Sequence, residues 1–271
     1  MLFMRVLKAS VHTGMLVYVG LPILFILLMS VSMDWRWPEV FPHAVSARAW
    51  RYVFSPYAEI WHVIGISMGL AIGVSVINVV LALPAAEALA RRRVIGRIWF
   101  EALFMAPIVV SPLIAVMGFH ITFIRMGIAD TSWGVILAHL VPTFPYMLRS
   151  LMISYQSLGF QWEEQAAVLG ANAQQRFWQV VFPFILPGLV VGFGLSMLIS
   201  LSQYVITFLI GGGQVMTIAL VMFPFINGGD PAIASTYALI FMAIALSMLY
   251  GSSAWLKLYY RRGFSLQERR M

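Results

Sequence analysis

The chain has 271 residues, of which 61% are hydrophobic and 10% are charged, and its formal net charge is +7. Soluble domains have roughly 25% charged and 45–50% apolar residues, so this composition excludes an ordinary globular protein. The sequence contains no cysteine, which excludes disulfides and thiolate metal sites.

Apolar runs long enough to cross a membrane recur along the chain. A spanning helix needs about 20 mostly apolar residues, and we therefore predict an all-α polytopic membrane protein, a single transmembrane domain over residues 1–271. The six predicted spans are 13–33, 60–83, 100–123, 133–153, 188–209 and 232–256. The first run is longer than a signal-peptide core, so we expect it to be retained. Pro142, Pro145 and Arg149 interrupt the fourth run, and its ends stay open.

Basic residues lie mostly on one side of the six predicted spans. That side holds Arg5, Lys8, Arg91, Arg92, Arg93, Arg97, Arg149, Arg176, Lys257, Arg261, Arg262, Arg269 and Arg270, whereas the other holds Arg36, Arg48, Arg51 and Arg125. Cytoplasmic loops carry an excess of lysine and arginine, so we predict a multi-pass protein of the cell (inner) membrane with both termini in the cytoplasm. Membrane topology and anionic lipid explain the positive charge better than nucleic acid does.

Segment 154–187, between the fourth and fifth predicted spans, contains a polar insert that is compatible with helix. Residues Glu163 to Leu169 favour helix, and Gly170 can end that helix by adopting a left-handed conformation. A second helical stretch, Ala173 to Val181, runs to Pro183. We predict a helix–glycine–helix elbow on the cytoplasmic side, with one face towards the cytosol and the other towards the helix bundle.

The residues of this elbow resemble the EAA motif of permease subunits of binding-protein-dependent ATP-binding cassette (ABC) importers, the MetI-like family. That motif is Glu-Ala-Ala, three residues, Gly, nine residues, then Ile-x-Leu-Pro. Aligned on Gly170, this chain has Glu164-Gln165-Ala166, then Gly170, then Val180-Val181-Phe182-Pro183. The spacing from the glycine to the proline fits the motif. Gln165 replaces the first alanine of the motif and Phe182 replaces its leucine.

The resemblance implies a MetI-like permease fold of six helices and a coupling helix that fits a cleft on a cytosolic ABC ATPase dimer. It also implies a second permease subunit, a paralogue rather than a copy, and an extracytoplasmic solute-binding protein. Small alanines would permit close approach to the ATPase, and Glu163 or Glu164 could pair with one of its arginines. The expected ATPase-coupling residues are Glu163, Glu164, Gln165, Ala166, Ala167, Gly170, Ala171 and Pro183.

The chain lacks the sequence signature of a nucleotide site. A P-loop needs Gly-x-x-x-x-Gly-Lys-[Ser/Thr], and neither of the only two lysines, Lys8 and Lys257, follows such a loop. We therefore expect a non-catalytic subunit that binds no cofactor directly. ATP and Mg would act through the partner ATPase.

A stripe of polar side chains marks the fifth predicted span. Ser196, Ser200, Gln203 and Thr207 recur at helical spacing and would share one face, and Ser75 and Asn78 form a shorter stripe in the second span. Polar side chains in lipid must face the bundle or a wet cavity. They could join helices by hydrogen bonds or line a translocation path, and the sequence leaves both alternatives open. The path candidates are Ser196, Ser200, Gln203, Thr207 and Asn78.

Three ionisable residues lie nearest the membrane interior: Glu101, His120 and His139. We expect Glu101 to pair with Arg97, four positions earlier on the same helical face. Neither histidine has a helical partner at metal-ligand spacing, so no metal site is predicted. An ion-gradient-driven secondary transporter or channel-like protein is the alternative to an ABC permease. It predicts carboxylates or histidines buried at mid-membrane, with repeats or broken helices around a midplane site. The predicted spans are nearly free of acids, and the polar insert would then have no purpose.

The solute cannot be identified from this sequence. The chain length and the loop Gly211–Thr217 look more similar to the polyamine, iron, thiamine and phosphonate branch of importers than to the sugar branch. The translocation path is therefore expected to carry a small polar solute.

Overall fold

The computed structural model describes residues 2–33, 35, 44–91 and 94–268, and within these ranges the chain is built from α-helices. They are α1 (Leu2–Ser30), α2 (Arg48–Val53), α3 (Ile60–Arg91), α4 (Arg97–Val109), α5 (Pro112–Arg125), α6 (Ser132–Leu158), α7 (Gln161–Val168), α8 (Ala173–Arg176), α9 (Phe182–Leu201), α10 (Tyr204–Gly211), α11 (Ile218–Asn227) and α12 (Pro231–Glu268). A π-helical segment, Phe177–Val181, joins α8 to α9. Five of the basic residues on which the predicted membrane orientation depends lie outside the described residues: Arg36, Arg92, Arg93, Arg269 and Arg270.

The chain divides into two compact units. The first comprises Met1–Ile64 and Leu220–Ile244, and the second comprises Gly65–Ala219 and Ala245–Met271. The core of the first unit contains Ala49, Val53, Ile60, Ala232, Ile233 and Tyr237. At its surface Arg48 Nη2 lies 2.9 Å from Asp230 Oδ2.

The second unit is organised around the packing of α6 against α9. Met147, Leu148, Leu151, Met152 and Tyr155 of α6 are buried in one core cluster with Ala82, Ala86 and Leu89 of α3 and with Ile185 of α9. Ser150 Oγ donates to the Gly188 carbonyl over 2.6 Å, which joins α6 and α9 directly. Close helix approach at small residues is a common way to pack helices where lipid removes the hydrophobic driving force.

Four helical segments in the described ranges are long and apolar enough to cross a membrane: Pro56–Arg91, Ser132–Leu158, Ala173–Leu201 and Pro231–Tyr260. The first predicted span lies in α1, of which Val17–Ser30 is a shorter apolar segment. The all-helical membrane fold is confirmed, whereas the count of six spans stays a prediction. Pro142 and Pro145 lie inside one continuous α6, so the fourth span is longer than the predicted 133–153.

The third predicted span is not one straight helix. Helices α4 and α5 are bent by 101° relative to each other. Val110 and Ser111 between them have extended backbone, with ψ values of 131° and 130°. Ser111 precedes a proline, and the residue before proline is disfavoured in the α conformation. A proline-associated bend was expected here, and that α4 and α5 together form the one span predicted over 100–123 stays a prediction.

The fifth predicted span, 188–209, differs from the structure at both ends. Helix α9 ends at Leu201, and α10 begins at Tyr204 after Gln203, whose ψ is 79°. At the other end, Ala173–Leu201 is one continuous segment of 29 residues, so Pro183 lies within it rather than ending it. Because α6 continues to Leu158, the elbow itself is also shorter than the predicted 154–187. Helix α11 occupies a stretch that the sequence analysis left between spans five and six.

Candidate coupling elbow and polar interior cluster

The predicted elbow consists of α7, a glycine turn and α8. Gly170 has φ +89°, and the helix ends in a Schellman motif: the Ala171 N–H donates to the Ala166 carbonyl and the Gly170 N–H to the Ala167 carbonyl, each over 3.0 Å. Asn172 then begins α8 with a capping box, since its Oδ1 accepts from the Gln175 N–H over 2.8 Å. The helix–glycine–helix geometry is thus confirmed.

The outer face of the elbow carries apolar residues that the sequence analysis did not single out. Val168 and Leu169 are 88% and 87% exposed. With Gln161, Glu164 and Gln165 they line an open hollow. Exposed apolar residues in a polar setting are typical of a protein interaction site. Their position beside the glycine turn is the sequence signal that could have identified them.

The predicted coupling residues are divided between the two faces of the elbow. Glu164, Gln165, Ala167 and Gly170 are exposed, Glu163, Ala166 and Ala171 are partly buried, and Pro183 lies within the following helix, partly buried. The two carboxylates differ in their surroundings. Glu163 Oε1 accepts from Arg91 Nη1 of the same chain over 2.6 Å, whereas Glu164 is exposed. That either carboxylate pairs with a partner's arginine stays a prediction.

The second candidate site is a cluster of buried polar side chains around His139 of α6. His139 Nδ1 lies 2.9 Å from Ser200 Oγ of α9, and His139 Nε2 lies 3.1 Å from Thr207 Oγ1 of α10. Thr207 Oγ1 donates its own hydrogen to the Gln203 carbonyl over 2.6 Å. Thr207 can therefore only accept from His139, so Nε2 carries the proton and Nδ1 accepts from the Ser200 hydroxyl. One neutral imidazole joins the two sides of the break between α9 and α10.

Asn78 of α3 extends the same cluster. Its Nδ2 donates to Thr143 Oγ1 over 2.7 Å, and Thr143 Oγ1 donates to the His139 carbonyl over 2.6 Å. Asn78 Oδ1 and Ser196 Oγ are buried and accept no hydrogen bond from the described residues. The cluster thus connects α3, α6 and α9 and leaves two buried acceptors unpaired.

Three of the five predicted path residues, Ser200, Thr207 and Asn78, belong to this cluster, although the helix that carries the stripe is broken. Ser196, Ser200, Thr207 and Asn78 are all nearly inaccessible, and Gln203 is partly buried at the break. The hydrogen bonds of Ser200, Thr207 and Asn78 show how these three side chains join helices. That any of them contacts a solute stays a prediction.

Of the other ionisable residues, Glu101 behaves as predicted. Arg97 Nε donates to Glu101 Oε1 over 2.5 Å, which confirms the expected pair. His120 is partly buried on α5. In the part of the chain that the structure describes, no group of three or more metal-ligating side chains is placed to hold an ion.

Helices long enough to span a membrane, with an exposed elbow between two of them, define a polytopic membrane protein. Comparison with known families makes this specific. A sequence model described as "Binding-protein-dependent transport system inner membrane component" matches residues 78–262. The chain therefore belongs to that family, the permease subunits of ABC importers.

Several characterised permeases are similar to this chain. The molybdenum transport system permease protein ModB of Mycobacterium tuberculosis is 27% identical over 256 residues, covering 88% of this chain and 90% of that protein. The sulfate transport system permease protein CysT of Salmonella typhimurium is 27% identical over 219 residues, covering 75% of this chain and 78% of that protein. The thiamine transport system permease protein ThiP of the same organism is 28% identical over 218 residues, covering 74% of this chain and 40% of that protein.

A solved structure supports the fold. A bacterial ABC transporter involved in the import of the acidic polysaccharide alginate aligns with a TM-score of 0.69, covering 93% of this chain and 95% of its own. The sequence identity is 16%, so this likeness concerns the fold alone.

Proposed function

We propose that the chain works in an importer with a cytosolic ABC ATPase dimer, a second permease subunit and an extracytoplasmic solute-binding protein, and that α7 to α8 forms the ATPase docking element. The observation that supports this most is the exposed pair Val168 and Leu169 beside the rigidly ended α7. Membership of this family implies a partner ATPase that supplies energy, and the exposed apolar surface at Val168 and Leu169 is suited to bind such a partner.

In this proposal both termini and the elbow lie in the cytoplasm, and residues 1–271 act as a single transmembrane permease domain. The distribution of lysine and arginine supports that orientation. The second permease would be a paralogue rather than a copy, as the resemblance to the EAA-motif family implies. The ion-gradient-driven alternative loses its support, because the family is one of ABC importers.

The mechanism follows from how the elbow is connected. Helix α8, the π segment and α9 form one continuous segment, Ala173–Leu201, that runs from the elbow into the apolar core. A displacement of the elbow by the closing ATPase dimer would therefore move α9 as a body. The chain contributes no nucleotide chemistry, and ATP and Mg are bound by the partner ATPase. A conformational change of this kind would open the translocation path alternately to the two sides of the membrane.

The solute is proposed to be small and polar. Among the relatives, ThiP is named for thiamine, which belongs to the branch expected from the sequence, whereas ModB and CysT are named for molybdenum and sulfate. These names widen the proposal to small oxyanions. The proposed path residues are Ser196, Ser200, Gln203, Thr207 and Asn78. Among them the Ser196 hydroxyl makes no hydrogen bond with the described residues, so it can donate to an anion.

Co-purification tests the docking proposal. A tagged chain is expected to recover an ABC ATPase, and Glu164→Lys and Gly170→Asp are expected to lose it. Gly170→Asp adds a negatively charged side chain at the turn, next to the exposed apolar pair Val168 and Leu169. Glu59→Lys, a charge reversal at an exposed carboxylate outside the elbow, is the matched control. ATPase recovery that neither elbow variant reduces would refute the proposal.

A further inference from the structure

We infer that Arg91 is a positioning residue for the elbow: its guanidinium fixes α7 to the end of α3, so that movement of the elbow is transmitted to α3 as well as to α9. This inference rests on the proposed docking function of α7.

Arg91 is held by Glu163 of α7 and by groups at and just after the end of α6. Its Nη1 donates to Glu163 Oε1 over 2.6 Å, and its Nη2 donates to the Gly159 carbonyl over 2.8 Å. The guanidinium carbon also lies 4.7 Å from the centre of the Phe160 ring and 5.7 Å from that of the Tyr155 ring. The Glu163 carboxylate, the Gly159 carbonyl and the two aromatic rings each favour a positive charge at this position.

The surroundings of this contact favour arginine specifically, and a lysine would not serve equally well. The Arg91 side chain is 4% exposed and that of Glu163 is 24% exposed, so the pair is largely shielded from water. The two donors of one planar fork reach two different acceptors, which a lysine ammonium cannot reproduce with the same geometry. Removing either charge would leave its partner buried and uncompensated.

Helix α7 is short and lies between two glycine turns, so contacts with other elements help to fix its orientation. It has eight residues, and a glycine with positive φ stands on each side: Gly159 at +66° and Gly170 at +89°. Glycine adopts these conformations at little cost, so the two turns allow α7 to lie at an angle to its neighbours. The orientation of α7 therefore depends on contacts with other elements, and Arg91 supplies the charged one.

Helix α3 connects this contact to the core of the second unit. Ala82, Ala86 and Leu89, just before Arg91, are buried against α6. A displacement of α7 would reach that core by two routes, through Arg91 into α3 and through Ala173–Leu201 into α9. Loss of Arg91 would leave α7 able to turn without moving α3.

The absence of cysteine makes a direct test possible in the chain alone. A single Val168→Cys substitution, at an 88% exposed position, carries a spin label on α7 in chain reconstituted into lipid nanodiscs. We expect Arg91→Met and Glu163→Gln to increase the mobility of the label, and Arg91→Lys to have an intermediate effect. Arg97→Met and Glu101→Gln, which break a charged pair on α4, are the matched controls. A label mobility that Arg91→Met and Glu163→Gln leave at the parent value would overturn the inference.

The assembled transporter provides the second readout. With the ATPase bound, Arg91→Met is expected to retain basal ATP hydrolysis and to lower the stimulation by the binding protein by about fivefold or more, the lower end of ordinary coupling between two sites. Stimulation equal to that of the parent would refute the transmission through Arg91. Should Arg91→Met fail to fold, Glu163→Gln keeps the side-chain volume and decides the question.

The two proposals fail in different ways. If the chain recovers no ATPase, the docking function is wrong and so is the role of Arg91 in transmission. The spin-label measurement, made without any partner, would still decide whether Arg91 orients α7.

Discussion

The contact between α6 and α9 predicts that alanine is tolerated at one glycine of α9 and not at another. A Cβ at Gly188 would overlap Ser154 Oγ and lie 2.7 Å from the Ser150 carbonyl oxygen. The serine side chain can rotate, but the carbonyl belongs to the backbone of α6 and cannot move without shifting the helix. At Gly194 the nearest atom is a Leu249 methyl at 3.8 Å, an ordinary contact.

Overpacking of this kind typically costs about 1–3 kcal/mol, whereas alanine replacing glycine within a helix gains up to about 1 kcal/mol. Gly188→Ala is therefore expected to lower the free energy of unfolding, and Gly194→Ala to leave it unchanged or raise it. Gly188→Ala would also lengthen the hydrogen bond from Ser150 Oγ to the Gly188 carbonyl, now 2.6 Å.

The assay is thermal unfolding of the purified chain in detergent, with both variants measured under the same conditions as the parent. The difference in stability between Gly188→Ala and Gly194→Ala is the decisive quantity, because both variants make the same chemical change in the same helix. If Gly188→Ala is as stable as Gly194→Ala, then α6 and α9 do not approach as closely as described, and the reasoning is wrong.

Three further predictions concern the polar cluster and the elbow. Thr207→Val removes the acceptor of the His139 Nε2–H and should lower stability in the same unfolding assay by about 0.6 kcal/mol, up to about 1.7, whereas Thr207→Ser should not. Asn172→Ala removes the capping box and should weaken α8 by about 0.5–2 kcal/mol, measured as faster amide exchange at residues 173–176. Gly170→Asn should be tolerated better than Gly170→Val in that exchange measurement, because asparagine adopts positive φ more readily than a β-branched residue.

Each of these has an outcome that contradicts it. Equal stability of the valine and serine variants at position 207 would mean that His139 does not donate there. Unchanged exchange in Asn172→Ala would mean that the capping box contributes nothing to α8. Equal exchange for asparagine and valine at position 170 would contradict the left-handed turn.

The elbow was predictable because each of its signals is local. A glycine after a helix-forming stretch can satisfy the last carbonyls of that helix only in a left-handed conformation, and Gly170 does so at φ +89°. The pair Arg97 and Glu101 was predictable for the same reason, since residues four apart share a helical face. Both depend on neighbours in the sequence and not on the rest of the fold.

The breaks within the third and fifth predicted spans could not be read in the same way. They occur at Val110–Ser111 and at Ser202–Gln203, inside runs where the apolar composition hardly changes. Pro142 and Pro145, the more obvious helix breakers, lie within a continuous α6. Whether a proline ends a helix or is tolerated depends on which neighbours satisfy the freed carbonyls, and that is a property of the packing.

The sequence by itself determined the class of the protein, its family resemblance and the elbow, because apolar length, charge distribution and glycine spacing act over one or a few helical turns. Only the tertiary structure decided that His139 joins Ser200 to Thr207 and that Arg91 holds Glu163, pairs 61, 68 and 72 positions apart. No local pattern relates such residues, because the packing of α3, α6 and α9 is what brings them within hydrogen-bonding distance.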